Sequence, residues 1–300
     1  MKVLKLFTDK NYRFQVLKKY GLDFIFSEKE WIKRNWESVE GTKIDLDNPS
    51  TFNEKIQYIM LNDHNPLYTK LQDKYQVREY IKNKIGEEYL VPLVGGPWSK
   101  YDDINFNELP MEFCLKTNHD SGGVVLCLNK EKLDYNKTKK IINKSLARNY
   151  YKFSHEWAYK NITPCIIAEK LVSHSPRDYK IFCFGGKAYY VYVSDKSHTE
   201  DQCIQFYDRD FNPVDIKRKD YKDYEQIPAR PENYQKMIEI AEKLAEGLPQ
   251  VRVDLYNENG QILFGEFTFY TSAGHIPFVD EKWNRHLGSL IDLKEIKPFS

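Results

Sequence analysis

The 300-residue chain has no apolar run approaching the roughly 18 residues needed to span a bilayer, and its first residues, MKVLKLFTDKNYRF, lack a signal-peptide apolar core. Cysteine is scarce. The five present (Cys114, Cys127, Cys165, Cys183 and Cys203) are odd in number with no CxxC pair, which argues against a disulfide framework and against a zinc site. They sit in apolar, strand-like runs, so a soluble cytoplasmic protein in a reducing compartment is expected. An excess of one charge is also missing. With 45 Lys and Arg against 44 Asp and Glu, no global field favours nucleic acid or an anionic membrane. There is no repeat, low-complexity tract or Gly/Ser linker, no P-loop pattern and no Ser-His-Asp or Cys-His signature. Aromatics are plentiful instead: 22 Tyr and 17 Phe suit carbohydrate or nucleotide stacking, and equally suit half-polar core positions.

Periodicity places helices over most of residues 1–47, with Leu4, Phe7, Phe14, Leu17 and Trp31 as the apolar positions, then over FNEKIQYIMLND and over Pro66 to Lys84. EEYLVPLVGGPW reads as a buried strand ended by glycines. MEFCLK and GGVVLCLN form a strand pair, followed by a helix from about Asn136 to Tyr150. A strand ITPCIIAEKLV, a strand pair DYKIFCFGGKAYYVYVS, a helix PENYQKMIEIAEKLAEGL and a final hairpin complete the pattern. Helices and strands interspersed without strict βαβ alternation indicate an α+β protein.

The final hairpin, VRVDLYNENGQILFGEFTF, is the most informative stretch. Asn259-Gly260 is a strong turn signal, and a two-residue loop there would pair Asp254 with Gly265, one position short of Glu266. A bulge at Gly265, the residue type that tolerates one, turns Glu266 onto the face of Asp254, with Thr268 two residues further along. Two converging carboxylates make a hard-cation site suited to magnesium and nucleotide phosphates, although acidic residues on a wet hairpin face are also common. Elsewhere, Lys116 ends a strand before a glycine-containing loop whose amides could cradle phosphate. Glu169 and Lys170 interrupt an apolar strand, where backbone groups could meet an adenine edge and the carboxylate ribose hydroxyls. Asp178 and Lys180 share a strand face and could form either a salt bridge or a phosphate contact. His119 and His275 stand near these positions, where a loop histidine is usually only solvated.

The segments NPSTFNEKIQYI, NPLYTKLQDKYQVREYI, FCLKTNHDSGG, RNYYKFSHEWAYKNITPCIIAEKLV, RDYKIFCFGGK and VRVDLYNENGQILFGEFTF closely resemble the TupA-like ATP-grasp proteins of bacterial surface-polysaccharide gene clusters. The resemblance implies an ATP-grasp fold, two α+β lobes gripping ATP. Its divisions would be an N-terminal helical extension (1–47), a helical and strand subdomain (48–110), a lid lobe (111–169) and a C-terminal lobe with the metal site (170–300). It further implies that Lys74 and Lys116 touch phosphates, that the loop Asn118, His119, Ser121, Gly122 and Gly123 folds over them, and that Glu169, Lys170 and Leu171 form the adenine-side hinge. Asp178 and Lys180 would complete the nucleotide site, with Lys116, Lys180 and Arg252 as catalytic cations. Magnesium would fall to Asp254 and Glu266, with Thr268 where the superfamily carries Asn, so one firmly held ion is expected. The implied reaction joins a carboxylate, such as a uronic acid of a polysaccharide or sugar nucleotide, to an amino acid or amino alcohol through an acyl phosphate. A sugar kinase and a non-catalytic nucleotide-binding subunit are the alternatives. No nucleic-acid partner is expected, and association with glycan-assembly machinery would be peripheral.

Overall fold

The computed structural model describes residues 8–195 and 199–296, so Leu4 and Phe7 lie outside the described residues. Helices and antiparallel strands are interspersed, which is the α+β arrangement. No helix among the described residues is long and apolar enough to cross a membrane.

The N-terminal region is two helices, α1 (Lys10–Lys19) and α2 (Glu28–Glu40), rather than one helical run. Gly21, at φ 66°, ends the first, and the Ser27 hydroxyl accepts from the Glu30 amide to start the second. Phe14, Trp31, Ile32 and Trp36 bury a small cluster between them. The pair also reaches outward: the Trp31 ring stacks on His155 at 3.9 Å, and Glu40 pairs with His275 at 2.7 Å.

The expected helix from Pro66 to Lys84 is broken into α4 (Pro66–Gln72) and α5 (Val77–Lys84), preceded by α3 (Phe52–Asn62). The cause is Asp73: its buried carboxylate accepts from the amides of Tyr75 and Gln76 at 2.8 and 3.1 Å, competing with the helical ladder. The break turns the Lys74 amide toward the Asn118 carbonyl, 3.0 Å away.

A four-stranded sheet follows, in the order β1 (Leu93–Trp98), β4 (Ile166–Glu169), β2 (Phe113–Thr117), β3 (Val124–Cys127). Strand β1 runs through Gly95 and Gly96 instead of ending at them, because the close approach of β4 leaves no room for a side chain. A Cβ on Gly96 would lie 2.7 Å from the Ile166 carbonyl oxygen. Tyr101, Ile104 and Leu109 share one core with Phe113, Leu115, Ile142, Ile166 and Ala168. A lobe boundary at 110/111 would cut that core, so residues 93–110 belong with the small sheet. The helix expected from Asn136 to Tyr150 is α6 (Tyr135–Leu146) plus α7 (Tyr150–Ser154), the second started by the Asn149 side chain accepting from the Lys152 amide.

The larger sheet has the order β11-β10-β5-β6-β7-β8, with β9 alongside β7. Its strands are β5 (Asp178–Phe184), β6 (Lys187–Asp195), β7 (Cys203–Asp208), β8 (Pro213–Val214), β9 (Lys222–Asp223), β10 (Gln250–Glu258) and β11 (Gln261–Thr268). Helix α8 (Tyr234–Ala245) buries Met237, Ile238, Ala241 and Leu244 in the sheet's core, as its 3.6-residue periodicity requires. Strands β7 to β9 and helix α9 (Glu281–Ser289) escape the sequence pattern.

Helix α9 packs on the start of α3 at backbone distance. A Cβ on Gly288 would stand 2.5 Å from the Ser50 carbonyl oxygen and 2.7 Å from the Phe52 nitrogen, neither of which can rotate away. Gly288→Ala should therefore cost about 1–3 kcal/mol by overpacking. Urea unfolding at pH 7 checks this; an unchanged midpoint would show that the two helices separate freely.

Candidate functional site

The hairpin has the register its residues demand. Asp254 pairs with Glu266 and Leu255 with Phe264, so Gly265 is the unpaired bulge residue, and Arg252 faces Thr268. A Cβ at Gly265 would sit 3.1 Å from the Asp254 carbonyl oxygen, so the bulge favours glycine. The neighbouring strand sets Lys180 opposite Asp254. Arg252, Asp254, Glu266, Thr268, Lys180 and Asp178 thus share one face of the large sheet.

Asp254 is the centre of that face. Its Oδ1 accepts from Arg252 Nε and its Oδ2 from Arg252 Nη2 and Lys180 Nζ, each at 2.7 Å. Burial opposes its charge, but Arg252 and Lys180 outweigh burial and hold the carboxyl below its usual range. Arg252 is buried and Lys180 partly so, and Asp254 raises both despite desolvation. Arg252 Nη2 also donates to the Thr268 hydroxyl at 2.9 Å, and Lys180 Nζ stands 3.6 Å from Asp178. Glu266 differs: its side chain is 41% exposed, its nearest ion-pair contact is Arg252 at 4.0 Å, and its carboxylate accepts no hydrogen bond among the described residues.

On the small sheet, Lys116 Nζ donates to Glu169 Oε2 at 2.7 Å, and Arg78 holds Glu169 Oε1 at 3.0 Å. Burial lowers Lys116, yet the adjacent Glu169 charge reverses that and leaves its pKa raised. Glu169 is therefore occupied by two cations rather than presented to ribose hydroxyls. The Lys170 amide donates to the Pro92 carbonyl at 2.8 Å, which removes that donor from an adenine edge. Lys170 itself is exposed and Leu171 partly so, lying just past the end of β4.

The loop after β2 divides into a fixed base and an open tip. Asn118 is almost wholly buried; its side chain accepts from the Cys165 amide at 2.7 Å and donates to the Thr163 carbonyl at 3.0 Å. His119 points its Nε2 at the Ser145 and Arg148 carbonyls, at 3.2 and 3.1 Å, so that nitrogen carries the proton and caps the end of α6. Both side chains are structural, contrary to the phosphate-binding expectation; only their placement in the loop stands. Asp120 anchors the turn through Thr117 Oγ1 and Ser145 Oγ, both at 2.7 Å, and the Gly123 amide at 3.0 Å. A Cβ on Gly123 would fall 2.0 Å from Thr117 Oγ1. Ser121 and Gly122 form the exposed tip, and their amides donate to nothing among the described residues. Lys74 Nζ braces the tip through the Asp120 carbonyl at 2.6 Å. His275, bonded to Glu40 and close to Asn35 and Gln57, serves the N-terminal helices instead.

Tyr256, half-buried on β10, is within electrostatic reach of both sheets: desolvation pushes its hydroxyl up, Lys116 of the small sheet and Lys180 oppose that, and Asp178 and Glu266 add to it. The charges are complementary across this junction. Lys74, Lys116 and Arg78 stand against Glu169 and Asp120, an excess of one positive charge, while Lys180 and Arg252 stand against Asp254, Asp178 and Glu266, an excess of one negative charge. The positive lip suits phosphates and the negative face suits a cation. No cluster of three or more His, Cys, Asp or Glu ligands occurs among the described residues. The donor set fits magnesium in the form that keeps one or two carboxylates and takes its remaining oxygens from phosphates and water. Glu266 is the open donor and Asp254 the one already shared with cations.

Sequence reasoning missed Tyr256, which lies two residues beyond Asp254 and was legible by strand period, and it missed Glu156 and Tyr159, which carry no local signal. Glu156 is 8% exposed, and burial, partly relieved by Ser154 and reinforced by the Glu266 charge, pushes its carboxyl up to about 8. Tyr159 accepts from Gln72 Nε2 at 2.9 Å and feels Glu156, Glu266 and Asp120.

A family model for TupA-like ATP-grasp proteins matches residues 54–292, and the chain belongs to that family. Its structure is similar to the D-alanine–D-alanine ligase of Bacillus anthracis complexed with ATP (15% identity, 67% of this chain and 54% of that one, TM-score 0.39). It is also similar to the L-amino acid ligase of Bacillus licheniformis (14%, 90% and 57%, 0.40) and the N5-carboxyaminoimidazole synthetase of Staphylococcus aureus (16%, 66% and 44%, 0.36). The chain spans about half the length of these solved structures, between 44% and 57%. None of the curated proteins matches it.

The position of Glu156 sets a pH dependence. Its folded pKa, raised to about 8, exceeds the ordinary 4.5, so between those values the folded state keeps a proton that the unfolded state has lost. Stability contributed by this group is present below pH 4.5 and is lost as pH rises toward 8. Glu156→Gln should gain stability over wild type at pH 8.5 relative to pH 5 by several kcal/mol at most, at about 1.4 kcal/mol per unit. Urea unfolding of the ligand-free proteins at both pH values checks it, and an equal difference at the two would contradict it.

Proposed function

We propose that this protein is an ATP-dependent carboxylate–amine ligase that forms an amide through an acyl phosphate. The observation that carries this reading is the pairing of the Asp254–Glu266 face, with its Lys180 and Arg252 cations, against the Lys116 side of the small sheet across Tyr256. Membership of an ATP-grasp family supports the nucleotide. The polysaccharide setting suggested by the family's resemblance makes a uronic-acid carboxyl the preferred acid.

In this mechanism the triphosphate lies along the Ser121–Gly122 tip, whose open amides meet phosphate oxygens. Lys116 keeps its bond to Glu169 and still has donors for the β or γ phosphate, because an ammonium carries three. Lys74 fixes the tip through the Asp120 carbonyl and adds positive charge beside it. The substrate carboxylate oxygen attacks the γ-phosphorus, the bond to the bridging oxygen breaks, and ADP leaves. Magnesium, held by Asp254 and Glu266, would neutralise charge on the phosphate oxygens. Arg252 and Lys180 hold Asp254 in place and balance the charge that spreads over the transferring group. The amine then attacks the carbonyl carbon of the acyl phosphate, loses a proton and expels phosphate. The chemistry rests on positioning and electrostatics, in keeping with a sequence that carries no Ser-His-Asp or Cys-His signature.

The test is hydroxylamine trapping with glucuronate or galacturonate and ATP. A hydroxamate with free phosphate is expected; a stable phosphate ester without free phosphate would mean a kinase, and no ATP consumption with any acid would mean a binder. Lys116→Met retains the apolar stem and removes the charge, and should weaken ATP binding roughly ten- to a hundredfold, the value of a charged hydrogen bond. Unchanged affinity by calorimetry would remove Lys116 from the phosphate site.

A further inference from the structure

The turn between α1 and α2 has its polarity inverted. Tyr20, Leu22, Phe24 and Ile25 are 68%, 48%, 76% and 62% exposed, whereas Asp23, the one acid among them, is buried. Hydrogen bonds fix the inversion. Asp23 Oδ2 accepts from the Trp31 indole at 2.7 Å, the Leu22 amide donates back to the Leu17 carbonyl at 2.9 Å, and the Phe26 amide closes the turn on the Asp23 carbonyl at 3.1 Å. With the acid drawn inward, the apolar side chains project outward. Four large apolar groups between Tyr20 and Ile25 make a patch of the kind that marks a surface meeting an apolar partner.

A cationic cavity adjoins this patch. Its volume is about 260 Å³, and it is lined by Lys10 of α1, by Glu30, Lys33, Arg34 and Glu37 of α2, and by Lys43 beyond the end of α2. The α2 residues recur at three- and four-residue spacing and so share one face, opposite Asn35, which reaches His275 at 3.2 Å. The cavity therefore opens on the side of α2 away from that contact. Lys10 pairs with Glu37 at 2.6 Å and Arg34 with Glu30 at 2.7 Å, whereas Lys33 and Lys43 form no ion pair among the described residues, which leaves two positive charges unmatched. Cavity and patch touch, because the Arg34 guanidinium lies 4.5 Å from the centre of the Phe26 ring, next in the chain to Ile25. Lys19 adds an exposed cation beside the Tyr20 ring, 5.8 Å from its centre.

We propose that this surface docks on an anionic lipid bilayer, with Leu22, Phe24 and Ile25 entering the interface, Tyr20 at headgroup level and the cavity at Lys33 and Lys43 receiving a lipid phosphate. Both halves of the surface are then satisfied together. A soluble polyanion would match the lysines and leave the apolar patch in water, and an apolar protein groove would match the patch and leave the lysines unmet. A second copy docked patch to patch would bring two cationic flanks together. The balanced charge of the whole chain does not oppose docking, since salt confines the attraction to charges within about 10 Å of the membrane. The surface precedes residue 54, where the family match begins, and the inference stands independently of the ligase reading.

Co-sedimentation of the full chain with vesicles tests it, using phosphatidylcholine alone and phosphatidylcholine mixed with phosphatidylglycerol. The chain should bind the mixed vesicles at least about tenfold more tightly than the neutral ones. Phe24→Ser with Ile25→Ser should weaken that binding at least about tenfold, and Lys33→Gln with Lys43→Gln roughly ten- to thirtyfold, the value of two cations at a charged surface. Each of these positions is exposed, so the fold should survive, and an unchanged urea midpoint places the loss at the surface. No binding to either vesicle, equal binding to both, or full retention of binding in Phe24→Ser with Ile25→Ser would overturn the proposal. Self-association of the free chain that the same change abolishes, without vesicle binding, would assign the patch to a second copy instead.

Discussion

One unpaired residue organises the site. In an unbulged hairpin Asp254 would face Gly265, and Glu266 would point to the opposite side of the sheet. The bulge at Gly265 rotates the remainder of β11 by one position, so that Glu266 meets Asp254 and Thr268 meets Arg252 on the same face. Side-chain alternation then carries the result along the strand. The Arg252–Thr268 bond and the approach of Glu266 to Arg252 follow from that extra residue, whereas the bonds among Arg252, Asp254 and Lys180 are set by β10 and β5.

The electrostatics of the two sheets follow from burial. A carboxylate as enclosed as Asp254 keeps its charge only with partners, and Arg252 and Lys180 supply three hydrogen bonds to it. Glu169 is the counterpart on the small sheet, with Lys116 and Arg78. Such pairs contribute little net stability against an apolar alternative, since desolvation offsets their attraction. Their value is positional: each fixes cations at a junction where phosphate can replace part of the lost hydration. The remaining imbalance, positive on the lip and negative on the hairpin face, is what a polyphosphate with its cation would neutralise.

Much of this was legible in the sequence. The Asn259-Gly260 turn, the strand period and the one glycine able to host a bulge together specify the acidic face, and Asp178 and Lys180 share it as their spacing requires. The loop after β2 was legible in position but not in detail. Asn118 and His119 look like ligands beside glycines, yet their partners, Thr163, Cys165 and the end of α6, are tens of residues away and no local pattern points to them. The same long range hides Glu156 and Tyr159; the helix break at Asp73 is local instead, a carboxylate bonding amides two and three residues on, and what the periodicity does not show is that this buried group outcompetes helical propensity. The short strands β7 to β9 lie where pairing with β6 and β7, rather than alternation, creates the sheet.

The claim at the centre is that the bulged hairpin face is a cation and phosphate site. Calorimetric titration of ATP into the wild-type protein and Glu266→Gln, with and without magnesium, tests it most directly. The account requires tight binding by the wild type only with magnesium and a loss of most of that magnesium dependence in Glu266→Gln, whose fold is unchanged. Equal ATP affinity in all four titrations would contradict it.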